Sequence, residues 1–198
     1  MPFSRCKGEK NMRKNWAALA LTGMLCLTTF AGIQTVSAET ADSAKQVDIV
    51  FTHDTHSHLN TFTTIVDEAE KEVGGFARIN TLIQEQKAKN PDTLVIDGGD
   101  FSMGTLIQTV FETQAAEIRM LGYMGCDVTT LGNHEFDYRS KGLANMLNSA
   151  AESGDDLPAM VVCNVDWESM EAAGLSEGQQ LIRDAFDEYG VSDYVVLE

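Results

Sequence analysis

The stretch Thr130-Leu131-Gly132-Asn133-His134-Glu135-Phe136-Asp137 sets an amide, an imidazole and two carboxylates in one short turn directly after the apolar Val128. It reads as the end of a strand running into a tight polar loop. Two earlier stretches have the same form. Residues 47–51 run into Thr52-His53-Asp54-Thr55-His56-Ser57-His58, and residues 93–96 run into Asp97-Gly98-Gly99-Asp100. In open α/β sheets, ligands bind beyond the carboxyl ends of the strands. Three donor-rich loops at three such ends are expected to converge on one metal site.

Outward from these loops, apolar patterning supplies the rest of the fold. Residues 47–51 predict a strand buried on both faces. Residues 61–73 are polar and leave their structure open. Phe76, Ile79, Leu82 and Ile83 form a stripe at helical spacing over about 76–89, ended by Asn90-Pro91-Asp92. A second strand covers 93–96. A helix over about 108–124 would turn Val110, Phe111, Ile118 and Leu121 inward. Strand 128–131 follows, then helix 141–153 with Leu143, Met146 and Leu147 inward, and strand 159–163. Residues 168–190 read as loop and an acidic helix, and 194–197 as the start of another strand. Strand, loop and helix in alternation predict an α/β domain with a largely parallel sheet.

The 198 residues, 43% hydrophobic, are enough for one domain with a core. A formal net charge of −16 argues against nucleic acid as a partner. It leaves room for a small phosphate ester, provided a metal supplies local positive charge. Residues 1–38 read as a secretory signal. They carry a basic start, an apolar run from Trp16 to Phe30, and the small-residue site Val36-Ser37-Ala38. The run is shorter than the roughly 20 residues a membrane span needs. Cleavage, an extracytoplasmic location (cell surface or periplasm) and no lasting membrane association are therefore expected. Residues 39–46 read as a linker. Cys126 and Cys163, at opposite ends of a parallel sheet, are expected to be free and buried.

In Asp54-x-His56 the two side chains would share one face of an extended segment. Oxygen plus nitrogen suits zinc, manganese, iron or cobalt, although the pattern alone fits a solvated turn equally well. His53 is assigned to the other face as structural, and His58 is an outlying candidate for a substrate contact. Asp100, on a glycine turn, could bridge two metals about 3.5–4 Å apart, with Asp97 as a supporting group nearer the strand. Asn133 offers a neutral amide oxygen. His134, the next residue, would face substrate to protonate a leaving oxygen or stabilise negative charge. Asp137 could hold its tautomer. The bland alternative for this turn is a cap before a helix.

The ordered set Asp54-x-His56, Gly99-Asp100 and Gly132-Asn133-His134-Glu135 resembles the calcineurin-like metallophosphoesterases. The runs Phe51-Thr52-His53-Asp54-Thr55-His56-Ser57-His58-Leu59, Gly74-Gly75-Phe76-Ala77-Arg78, Gly99-Asp100-Phe101 and Gly132-Asn133-His134-Glu135-Phe136-Asp137 look like its secreted 5′-nucleotidase branch, over about residues 47–198. The resemblance implies a sandwich of two sheets flanked by helices. It implies metal-dependent hydrolysis of phosphate esters, nucleotides foremost, by attack of a metal-activated water on phosphorus. Two divalent ions are implied. Asp54 and His56 would hold one, Asp100 would bridge, Asn133 would hold the second, and His134 with Asp137 would act on the phosphate. The family also takes ligands from later histidine motifs, whereas this chain has no histidine after His134. The family's C-terminal substrate domain is expected to be missing from these 198 residues too. Residues 47–198 are therefore expected to be the N-terminal part of a truncated domain. Arg139 stands where the family often has glycine. The alternatives are a non-catalytic metal-binding remnant or interaction module, and a phosphodiesterase of cyclic nucleotides or sugar-linked diphosphates.

Overall fold

The computed structural model describes residues 46–197, so the signal expected at residues 1–38 and nearly all of the linker lie outside the described residues. Strand β1 (Ile49–Thr52) leads through a hairpin, β2 (Phe62–Val66) and β3 (Ala69–Val73), to helix α1 (Phe76–Lys89) and strand β4 (Leu94–Asp97). A 3₁₀ segment (Leu106–Val110) and helices α2 (Phe111–Gln114) and α3 (Ala116–Tyr123) precede β5 (Val128–Thr129). A 3₁₀ turn (His134–Phe136), α4 (Arg139–Ala151), β6 (Ala159–Met160), α5 (Trp167–Ala173) and α6 (Glu177–Tyr189) complete the order. The main sheet runs β1-β4-β5-β6 with every neighbouring pair parallel, and β2 and β3 form a separate antiparallel sheet. This is the expected mixed α/β architecture, with two sheets flanked by helices.

Two elements match the patterning closely. Helix α1 spans 76–89 as predicted, with Phe76 and Ile83 buried, although Leu82 is 57% exposed. In α4, Leu143, Met146 and Leu147 are buried, and Ala185 and Phe186 of α6 join the same core. A capping box at Ser176 and Gln179 starts α6, and Gly190 in the left-handed region ends it.

Other expectations are corrected. Strand β1 is an edge strand whose residues alternate in burial, so Ile49 and Phe51 face outward rather than into a second layer. The open stretch 61–73 is the β2–β3 hairpin, closed by Asp67 and Glu68, both at positive φ. The helix expected over 108–124 is broken at Ala115, which is left-handed (φ 46) and buried. Val110 falls in the 3₁₀ segment and is exposed, while Phe111, Ile118 and Leu121 are buried as expected. Strands β5 and β6 are two residues each, shorter than expected. The strand expected at 194–197 does not form, and a lone parallel bridge joins Val161 to Ser192 instead. Cys126 and Cys163 are both free, but only Cys126 is buried, because Cys163 lies beyond the end of β6. Burial pushes the Cys126 thiol up to about 12.

Arg139 opens α4 at φ 57, a conformation costing an L-residue roughly 1–2 kcal/mol. Glycine relieves that strain but adds about 0.4–1 kcal/mol of unfolded-state entropy. Arg139→Gly is therefore expected to stabilise the protein by about 0.5–1 kcal/mol in urea denaturation. A loss of stability would contradict the assignment of strain.

Candidate metal centre

The donors are positioned by backbone before any side chain acts. Beyond β1 and β4 the parallel pairing continues into the loops. Gly98 N donates to Thr52 O (2.8 Å), Asp54 N to Gly99 O (3.0 Å), His56 N to Asp100 O (3.1 Å) and Ser57 N to Phe101 O (2.8 Å). The first donor loop is not extended. Asp54, His56 and Ser57 all lie at positive φ, so Asp54 and His56 meet through left-handed turns and not through strand alternation. Asp100 is also left-handed (φ 53).

Asp54, His56 and Asp100 each place one donor atom within 4.8 Å of the others. His56 Nε2 lies 3.6 Å from Asp54 Oδ1, and its Nδ1 lies 3.2 Å from Ser102 O. A carbonyl only accepts, so Nδ1 carries the proton and Nε2 keeps its lone pair for a cation. His53 lies beside the outward-facing Phe51, 5.5 Å between ring centroids, and its Nδ1 bonds Asp54 Oδ2; this bond holds the Asp54 carboxyl below its usual range. The Asn133 amide lies 3.1 Å from Asp100 Oδ2. With its oxygen turned there, two acceptors face each other, as two ligands of one cation would. With its nitrogen turned there, it donates to Asp100. These two carboxylates, one imidazole nitrogen and one amide oxygen form a hard, mixed oxygen–nitrogen set that fits a divalent cation.

His134 stands beside this set, its ring edge-on to that of His56 at 5.0 Å between centroids. Its backbone N donates to Asp100 Oδ1 (2.9 Å), and its Nδ1 lies 2.9 Å from Asp137 Oδ2. That bond to Asp137 raises the His134 pKa above its ordinary value. A raised histidine pKa means the pair contributes fully below about pH 6.5 and is lost as pH climbs through the higher folded value. In an NMR titration of metal-free protein, the His134 ring is expected to titrate above about 6.5, and Asp137→Asn to move it down. An unchanged midpoint in that variant would refute the coupling.

Asp97 does not join the donors. It is buried between strands, accepting from Thr52 Oγ1 (2.7 Å), Thr129 Oγ1 (3.0 Å) and Gly99 N (3.0 Å), and burial pushes its carboxyl pKa up. His58 caps Thr55 O (3.2 Å) beside Phe62. With Asp54 and Ile79 it lines a cavity of about 290 Å³ next to the donors. A larger cavity of about 770 Å³, between Tyr123 and Asp155, lies away from them.

Glu135 is the residue whose part the sequence reading left unassigned. It is fully buried, and its carboxylate accepts four hydrogen bonds: from Gly132 N (2.6 Å), Asp100 N (3.1 Å), Ser102 N (3.0 Å) and Ser102 Oγ (2.7 Å). It thereby ties the second and third loops together. The approach also depends on glycine. A Cβ at Gly132 would collide with the Asp100 carboxylate, and one at Gly99 would sit 2.7 Å from Gly132 N. The Glu-after-His signal was visible, but the backbone donors it satisfies were not.

Parallel strands that carry metal-type donors past their carboxyl ends define an α/β domain with a candidate metal site. Residues 47–192 match the calcineurin-like phosphoesterase family, and the chain belongs to that family. It is 36% identical over 110 residues to the 5′-nucleotidase of Mus musculus, covering 54% of this chain and 19% of that protein. It is 29% identical to the NAD 5′-nucleotidase of Haemophilus influenzae, covering 69% of this chain and 23% of that one. A solved 5′-nucleotidase precursor from Thermus thermophilus superposes with TM-score 0.53 at 30% identity, covering 62% of this chain and 23% of its own. The chain thus spans about a fifth of the length of these relatives. No helix among the described residues is long and apolar enough to cross a membrane.

Proposed function

We propose that this chain carries the metal-binding part of an exported phosphoesterase whose substrates are nucleotides. The observation that carries this reading is the convergence of Asp54, His56 and Asp100 within 4.8 Å. In the proposal Asp54 and His56 hold one divalent cation, Asp100 bridges to a second, and Asn133 completes the set. Cations held there would supply positive charge for the phosphoryl oxygens and lower the pKa of a water. Ser102 O fixes His56 in the tautomer that frees Nε2. Glu135 keeps Asp100 from drifting away from the third loop. Asp137 holds the proton on His134 Nδ1, so that a protonated His134 can donate from Nε2 to the leaving oxygen. The nucleotide preference is supported by the names of the relatives.

The test is release of inorganic phosphate from a nucleoside monophosphate by protein loaded with zinc or manganese, and its loss on chelation. With Asp100 shared, the first cation would have three protein ligands and the second only two, against about four for zinc, so the second is weakly held. Slow turnover by this chain is therefore expected. Metal binding with no release at all would favour the non-catalytic reading. Export is supported by the basic start, the apolar run and Val36-Ser37-Ala38. Mass spectrometry of the exported protein is expected to find Glu39 at its N-terminus. Retention of residues 12–30 would remove the proposal of cleavage.

A further inference from the structure

The geometry points to Glu117 as a positioning residue for His56, acting through Ser57. This inference rests on the metal-centre reading and adds a residue that lies outside every motif of the site.

Glu117 sits in the first turn of α3, in the core and fully buried. Fully buried glutamates are rare unless paired, yet its partner is no cation. Its Oε1 accepts from Ser57 Oγ at 2.6 Å, and its Oε2 has no partner. Leaving a buried oxygen unpartnered is destabilising, so stability alone does not account for a carboxylate here. Burial raises its pKa, and the neighbouring Glu135 charge raises it further.

The other end of the bond is the hinge of the first donor loop. Ser57 is fully buried at φ 55 and follows His56 at φ 44, two consecutive left-handed residues without a glycine. Each is a conformation that an L-residue adopts only under strain. Every polar group of Ser57 is engaged. Its N donates to Phe101 O (2.8 Å), its O accepts from Thr105 Oγ1 (2.6 Å), and its Oγ donates to Glu117. The side-chain bond alone reaches out of the loops to a helix. Rotation of Ser57 about its backbone would carry the adjacent His56 ring away from Ser102 O and from Asp54. The break at Ala115 sets where α3 begins, and Glu117 lies two residues beyond it. Two buried carboxylates thus share the scaffold. Glu135 joins the second loop to the third, and Glu117 anchors the first.

The experiment measures cobalt and zinc binding to the purified chain by calorimetry, the visible absorption spectrum of the cobalt form, and metal-free thermal unfolding. Ser57→Ala and Glu117→Ala are expected to weaken the first cation by about 10–100-fold, as loss of a ligand's supporting partner does, and to alter the cobalt spectrum. Glu117→Gln is expected to restore much of the affinity, because an amide oxygen also accepts from Ser57. The double alanine variant is expected to be no worse than the poorer single one, since both remove one interaction. Ser57→Ala, the milder change, keeps the test open if Glu117→Ala does not fold. Wild-type affinity and spectrum in Ser57→Ala or Glu117→Ala would overturn the role of Glu117 and leave the metal centre standing. No metal bound by the wild-type chain would overturn both.

Discussion

Asp100→Asn is expected to strip the site of metal while leaving the fold intact. Asparagine keeps the oxygen that accepts from His134 N and the backbone N that donates to Glu135. What it loses is the negative charge on the oxygen facing Asn133. A carboxylate can neutralise charge on two cations at once, and an amide cannot. The loss in affinity should reach at least the 10–100-fold that removing a mere supporting partner costs. His134→Ala is the contrasting variant. Its ring is assigned no metal, so both ions should remain, while any measurable turnover should fall by about 10²–10⁴-fold. Metal analysis and phosphate release on the two variants separate the roles. Metal lost from His134→Ala but kept by Asp100→Asn would reverse the assignment.

The second large effect is expected at Glu135. Truncation to alanine leaves three backbone N–H groups and the Ser102 hydroxyl without an acceptor in a buried place. Each stranded group costs about 1–3 kcal/mol. Water entering the space recovers part of that, so the net loss is expected at about 3–5 kcal/mol, or roughly 6–20 °C in Tm. Glu135→Gln should recover only the side of the carboxylate that becomes the amide oxygen, because its NH₂ would confront backbone donors on the other. An alanine variant within about 1 kcal/mol of wild type in denaturant titration would mean that the clamp contributes little to folding.

What was legible in the sequence were the strand ends and the loops that follow them. Glycines, polar clusters and apolar runs mark both, and the proximity of Asp54, His56 and Asp100 followed from placing two of the loops on neighbouring parallel strands. The route by which Asp54 meets His56 was not legible. Parity along an extended segment gave the right neighbours for the wrong reason, because positive φ at non-glycine residues leaves no compositional mark. The same blindness hid the hairpin, whose Asp67-Glu68 turn lacks the usual glycine or asparagine. Ala115 breaks a helix although alanine is the best helix former, and only tertiary packing explains it. Glu135 and Glu117 were missed for a shared reason. Their partners are backbone amides and a serine brought close by the fold, and no spacing in the chain announces them.

The outward face of β1 bears on how this protein behaves in solution. Ile49 and Phe51 stand 55% and 59% exposed along a strand at the sheet edge among the described residues, and Val47, just ahead of the strand, is 62% exposed. An apolar edge strand is a template on which a second molecule can align. Against this the chain carries a formal charge of −16, and like-charged molecules repel over a distance set by the electrolyte. That distance is about 30 Å at 0.01 M salt and about 10 Å at 0.1 M. Colloidal stability is thus rented from the ionic strength: dilute buffers keep edges apart, and concentrated ones let them meet.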